Sequence, residues 1–161
     1  MTDLTRRALL ATVGGAVGVS IAGCLGGDDD WEMDGTLAAA DATQYQGPDC
    51  DCCGVYATYL EDHLETDLEV IDDDRLSATK ADIGVPRDLG SCHTVVLDGY
   101  VFEGHLPVEL LDEVLEDQPD LAGIALPGMP SGSPGMGGSK DETWTIYQFD
   151  LDGTYDVYTE R

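Results

Sequence analysis

Basic residues are the scarcest class in this chain: seven lysines and arginines stand against 33 aspartates and glutamates among 161 residues, for a formal net charge of −26. A surface this acidic repels nucleic acid and anionic lipid headgroups, which excludes nucleic-acid binding. Such self-repulsion is screened within roughly 3 Å at 1 M ionic strength, so the composition predicts a halophile, archaeal in type. The acidity therefore indicates habitat, and a dedicated calcium or cation surface is the alternative interpretation.

The chain also lacks an internal repeat and an apolar run long enough to span a bilayer comfortably. The uncharged run from Ala8 to Ala22 follows Arg6-Arg7 and leads into Gly23-Cys24. Residues 1–24 are therefore predicted to be a twin-arginine export signal of lipoprotein type, in which Cys24 takes a lipid and becomes the mature N-terminus. An uncleaved signal anchor is the alternative, and both place the remainder on the outer face of the cytoplasmic membrane.

The signal is followed by a segment without apolar periodicity. Residues 25–41 consist largely of Gly, Asp and Ala, and we predict an acidic flexible tether there. Residues 42–161 remain as one domain, long enough for a modest core.

The pattern of this domain predicts an ordered series of short elements. They are a strand at 42–46, a helix at 54–64, a strand at 68–71, a weak helix at 76–83, hairpin strands at 94–97 and 100–103, and a helix at 107–116. The hairpin is indicated by Asp98-Gly99, a strong turn signal. This order is that of a thioredoxin-like α/β fold with a mixed central sheet.

The last forty residues extend that arrangement. Residues 127–138 are too rich in Gly and Pro for regular structure, and they contain Met129 and Met136. Two alternating segments, 143–149 and 155–159, flank Asp152-Gly153. They predict a C-terminal β-hairpin with a structural role.

Three thiols crowd into the segment Cys50-Asp51-Cys52-Cys53, at the predicted junction of the first strand and first helix. Amide groups and the dipole at a helix N-terminus stabilise thiolates, although Asp51 opposes this. In a thioredoxin-like fold the loop before the hairpin packs against that helix end. Here the loop carries Cys92-His93, so the fold brings a fourth thiol and an imidazole to the same place.

Three interpretations of the cysteines remain open. Structural disulfides would pair Cys50 with Cys53 and Cys52 with Cys92, although disulfide frameworks usually spread their cysteines. A thiol–disulfide oxidoreductase would use Cys50 and Cys53 as its redox pair, although the cis-proline of such a cleft is missing from the sequence. The third interpretation is a soft-metal site holding Cu(I).

The copper interpretation adds further candidate ligands to the four thiols. A single tetrahedral zinc fits poorly because adjacent Cys52 and Cys53 tend to point apart, whereas bridging thiolates in a multi-copper cluster can use neighbours. Additional candidates are an imidazole or a thioether from His93, His105, Met129 and Met136. His63, on the predicted helix, is assigned to packing or solvent.

Several motifs together resemble one family, the CopG-type copper-resistance proteins. They are Pro48 to Gly54, Gly84-Val85-Pro86, Ser91 to Thr94, Gly99 to His105, and the two Gly/Pro segments around Met129 and Met136. The resemblance implies a thioredoxin-like fold that binds copper through Cys50, Cys52, Cys53 and Cys92, as a thiolate-bridged Cu(I) cluster with methionine or histidine support. It also implies an exported protein of copper homeostasis that exchanges copper ions with transport or chaperone proteins, with redox activity left open.

Overall fold

The computed structural model describes residues 36–161, so the predicted signal, Cys24 and most of the predicted tether lie outside the described residues. The packed part begins before the predicted boundary at residue 42. Leu37 is fully buried and forms a parallel bridge with Leu64. Its amide donates to His63 O at 2.7 Å. The end of the predicted tether therefore covers part of the core, because one leucine can be buried there without any periodic pattern.

Residues 36–161 form seven strands and three α-helices. The strands are β1 (Ala42–Gln46), β2 (Glu69–Asp72), β3 (His93–Leu97), β4 (Tyr100–Glu103), β5 (Gly123–Ala125), β6 (Thr145–Phe149) and β7 (Tyr155–Glu160). The helices are α1 (Asp51–Glu61), α2 (Leu76–Asp82) and α3 (Val108–Asp117), and a 3-10 turn spans Arg87–Leu89. No helix in this part of the chain is long and apolar enough to cross a membrane.

The strands form one mixed sheet in the order β2-β1-β3-β4-β5-β6-β7. Strand β1 runs parallel to β2 and antiparallel to β3, and β3 and β4 form the hairpin that Asp98-Gly99 predicts. The first four strands with their helices confirm the thioredoxin-like α/β fold. Strands β6 and β7 form the predicted C-terminal hairpin.

Strand β5 is absent from the sequence-based prediction. It has three residues, lies parallel to β4, and joins the C-terminal hairpin to the main sheet. A Cβ atom at Gly123 would lie 2.0 Å from Val101 O, so this close strand approach requires glycine. A strand this short that begins with glycine has no alternating pattern to read, which is why the prediction missed it.

Side chains from alternate strand positions divide the core into two layers. Helices α1 and α3 cover one face of the sheet, and Ile83, Val85 and Leu89, which follow α2, pack on the other. The predicted bounds of α1 were wrong at both ends, since the helix runs from Asp51 to Glu61 instead of 54–64. It buries Tyr56, while Val55 is 54% exposed. The earlier start places two of the three crowded cysteines inside the first helical turn.

Candidate metal centre

The N-terminus of α1 positions the three crowded cysteines. Cys50 is the N-cap residue in an extended conformation, and its carbonyl accepts a bond from Gly54 N at 3.3 Å. Cys52 and Cys53 follow in the first turn, where free amide groups and the positive end of the helix dipole favour anionic ligands. Cys53 is fully buried, whereas Cys50 and Cys52 are half-buried. The cluster thus has a buried side and an open side.

Cys50 and Cys53 form a disulfide with their Cα atoms 5.3 Å apart, and Cys52 and Cys92 are free thiols. The structure therefore contains the first pair of the structural-disulfide interpretation and not the second. The Sγ atoms of Cys52 and Cys92 lie 3.7 Å apart. All four sulfur atoms lie within 4.8 Å of one another. The oxidised chain offers two thiols at this place, and reduction of the disulfide gives four.

Cys92 is the point where the ligand groups meet. Its Sγ lies 3.6 Å from His93 Nδ1 and 3.7 Å from His105 Nε2. The Sδ atom of Met129 lies 3.5 Å away. Cys92 therefore belongs both to the four-sulfur group and to a second group with His93 and His105. Four of the eight predicted ligands contact or flank this one sulfur.

The two imidazoles are fully buried and held in defined orientations. His105 Nδ1 donates to Pro134 O at 2.7 Å, which leaves Nε2 with its lone pair toward Cys92. His93 Nε2 is buried without a hydrogen-bond partner among the described residues. The Tyr56 ring packs 4.6 Å from the His93 ring and 5.1 Å from the His105 ring, and its hydroxyl donates to Leu106 O. Tyr56 thus holds both imidazoles.

Burial controls the protonation of these groups. It lowers the pKa of His105, and together with the charges of His105 and Lys80 it lowers the pKa of His93 to about 3. Both imidazoles are therefore neutral at pH 7, which is the form that binds metals. Burial and then the neighbouring Cys52 raise the pKa of Cys92 to about 12, against the opposing charge of Lys80. A metal that binds Cys92 must displace a proton.

The predicted Gly/Pro loop reaches the site through Met129. Its backbone has φ 48°, a left-handed conformation that costs energy for methionine, and its sulfur contacts Cys92. Gly135 has φ 79°, and a Cβ there would lie 3.4 Å from His105 Nδ1, so glycine allows the loop to approach. Met136 N donates to Ser133 O at 3.0 Å. Among residues 36–161, no recorded contact joins the Met136 thioether to the cysteines, and its role stays a prediction.

Two residues that hold the site were missed from the sequence. Tyr56 was not singled out in the helical pattern. Gln44 is fully buried on β1, and its Nε2 donates to Cys53 O and to Gln46 Oε1, both at 2.9 Å. A polar residue at an inward-facing strand position was the available signal for Gln44, because buried amides need specific partners.

The donor set fits copper. Thiolate and thioether sulfur select Cu(I), and imidazole also binds copper. His93 groups with Cys92 and His105 within 4.8 Å, and its Nδ1 lies 3.6 Å from Cys92 Sγ. His63 lies outside the group: its Nδ1 bonds to Tyr59 O at 2.7 Å.

The fold and this donor set define a thioredoxin-like domain with soft-metal ligands at a helix N-terminus. Two solved structures, titled "Copper resistance protein copG- Form 1" and "Form 2", are similar to the chain. Each shares 34% identity, covers 78% of this chain and 98% of its own, and has a TM-score of 0.67. The chain belongs to the CopG copper-resistance family, as the motifs predict.

A second comparison concerns the C-terminal half of the site. The family described as "Protein of unknown function, DUF411" matches residues 89–136. That segment contains Cys92, both candidate histidines and both candidate methionines. No curated protein matches the chain significantly.

Proposed function

We propose that this chain is an extracytoplasmic copper-resistance protein that holds Cu(I) through Cys50, Cys52, Cys53 and Cys92. One observation carries the proposal: a sulfur, two imidazole nitrogens and a thioether surround Cys92 Sγ at 3.5 to 3.7 Å. Thiolate and thioether sulfur select Cu(I) and imidazole also binds copper, so this set suits Cu(I) better than a metal that prefers oxygen ligands.

The number of donors supports a cluster instead of a single ion. Four cysteines, two histidines and Met129 make seven sulfur and nitrogen donors, more than the four positions around a tetrahedral ion. Cys92 belongs to both ligand groups, which suits a thiolate that bridges two metal ions. We therefore propose a thiolate-bridged, multinuclear Cu(I) cluster with His93, His105 and Met129 as supporting ligands.

A thiol–disulfide oxidoreductase is the second candidate function, and the Cys50–Cys53 disulfide at the start of α1 favours it. One feature of the site opposes it. The buried side chain that contacts the Cys53 backbone is the Gln44 amide, which cannot act as a general base for Cys50 or Cys53. The proposal therefore places copper binding first and redox activity second.

The two methionines provide a matched test. Reduced protein at high salt should retain more than about one Cu(I) per chain against a competing chelator. A Met129→Leu variant should bind Cu(I) roughly tenfold more weakly, because its thioether contacts Cys92. A Met136→Leu variant should match the wild type. Retention of less than about one copper by the wild type would contradict the proposed function.

We propose further that the chain is exported and is anchored to the outer face of the cytoplasmic membrane by a lipid on Cys24. At that surface it would exchange copper with transport or chaperone proteins. The support is the sequence of residues 1–24. In cells of the source type, the wild type should sediment with membranes and remain there after a salt wash. A Cys24→Ser variant should appear in the soluble exported fraction. Equal partition of the two proteins would show that Cys24 is not the anchor.

A further inference from the structure

A buried ion pair lies behind the loop that carries Cys92. Glu103 of β4 is fully buried and pairs with Lys80 of α2, which is itself buried. Lys80 is one of only two lysines in the whole sequence. Burying a charged pair costs desolvation energy that its mutual attraction often only repays, so stability alone explains such a pair poorly. Its presence in a chain with so few basic residues points to another role.

The hydrogen bonds of the pair reach both sides of Cys92. On the preceding side, the amide of Ser91 donates to the Glu103 carboxylate. On the following side, Lys80 Nζ donates to His93 O at 2.7 Å. Thr94 joins the two charges, since its hydroxyl accepts from Lys80 at 2.8 Å and donates to Glu103. The backbone on either side of Cys92 is therefore fixed to one ion pair.

We propose that Lys80 and Glu103 are positioning residues of the copper site. They hold the backbone from Ser91 to His93 so that Cys92 Sγ faces Cys52, His105 and Met129. Cys92 precedes the first residue of β3, and one long bond, from Gly47 N to Cys92 O at 3.5 Å, joins it to the neighbouring chain, so the sheet fixes its direction only weakly. The expected effect of the ion pair on copper affinity rests on the proposed function. Its expected effect on the position of Cys92 relative to Cys52 does not.

The surroundings of Lys80 favour this role over ligand binding. Lys80 and Arg87 both line a cavity of about 460 Å³ beside Ser91. The three protons of the Lys80 ammonium are matched by His93 O, the Thr94 hydroxyl and the Glu103 carboxylate. Arg87 is exposed in the same cavity. It offers a control in which a cationic side chain beside the same cavity is lost without loss of the loop contacts.

The first arm of the test measures the placement of Cys92 without copper. The background is a Cys50→Ser/Cys53→Ser variant, in which oxidised glutathione converts the Cys52 and Cys92 thiols to a disulfide and is reduced to two glutathione molecules. The equilibrium constant of this two-electron exchange reports how well the thiols are juxtaposed. Adding Lys80→Met/Glu103→Leu should lower it at least tenfold, and adding Arg87→Met should leave it unchanged. An equilibrium constant that Lys80→Met/Glu103→Leu leaves unchanged would overturn the proposal.

The double replacement is chosen because it removes both charges and leaves neither buried alone, which such cores often tolerate. Urea unfolding at high salt establishes that each variant is folded. Should the double variant not fold, Thr94→Val removes only the hydroxyl that joins Lys80 to Glu103. The same equilibrium should then fall by a smaller factor, and no change would again overturn the proposal.

The second arm measures Cu(I) affinity in a double-mutant cycle with Cys92→Ala. Replacing the ion pair should weaken binding about tenfold when Cys92 is present and have no further effect when it is absent. Equal losses in both backgrounds would indicate a general structural role and overturn the proposal. If the wild type binds no Cu(I) while the disulfide equilibrium depends on the ion pair, the proposed function fails and the positioning role stands.

Discussion

A Cys92→Ser variant should bind Cu(I) more than about a hundredfold more weakly than the wild type. The loss should exceed the roughly 10–100-fold effect of changing an outer-shell partner, because Cys92 is itself shared by two ligand groups. Serine nearly preserves the volume but supplies a hard oxygen that Cu(I) does not favour. Competition with a chelator under anaerobic, reducing conditions measures the change.

A Cys50→Ser variant is the matched comparison for this result. Cys50 Sγ lies 3.6 Å from Cys52 Sγ, and Cys50 belongs to the four-sulfur group alone. Its replacement should therefore weaken Cu(I) binding less than the replacement of Cys92. Both variants should keep the unfolding midpoint of the reduced wild type within a small margin. A larger loss for Cys50→Ser would mean that Cys92 is not the shared ligand.

The fold was largely predictable because its main elements carry strong local signals. The β3–β4 hairpin follows from Asp98-Gly99, which separates two short apolar segments. The face of α1 was not predictable in the same way. Val55, Tyr56 and Tyr59 place apolar side chains around much of the helix, so the pattern alone does not decide which side is buried. In the structure the buried face is the one that carries Tyr56, whose ring contacts both imidazoles.

Most of the residues that form the site were predictable from the sequence, but their geometry was not. Crowding identified the first three cysteines, and the fold topology then brought Cys92 to them. The placement of Met129 depends on a left-handed backbone that no propensity favours. The ion pair of Lys80 and Glu103 joins residues 23 positions apart across α2 and β4. Such long-range polar pairs leave no periodic trace in a single sequence.

The copper capacity of the protein should depend strongly on the Cys50–Cys53 disulfide. In the oxidised chain, Cys52 and Cys92 are the free thiols among residues 36–161, and with His93, His105 and Met129 they suit about one copper ion. Reduction adds two thiolates within 4.8 Å of the others and permits bridging. Elemental analysis of both forms, with thiols counted in the same samples, should show at least about one more copper per chain after reduction.

The Cys50→Ser/Cys53→Ser variant separates this effect from a general action of the reductant. The variant has no Cys50–Cys53 bond to reduce, so its copper content should stay at the level of the oxidised wild type. A thiol count on the same sample must show that Cys52 and Cys92 are both reduced. Equal copper content in oxidised and reduced wild type would place the metal entirely at Cys52, Cys92, His93, His105 and Met129. Cys50 and Cys53 would then serve exchange or structure, and the four-thiolate cluster would be wrong. A gain on reduction that the variant lacks would instead make the same two sulfurs both redox pair and ligands, so that oxidation of the site and release of copper become one event.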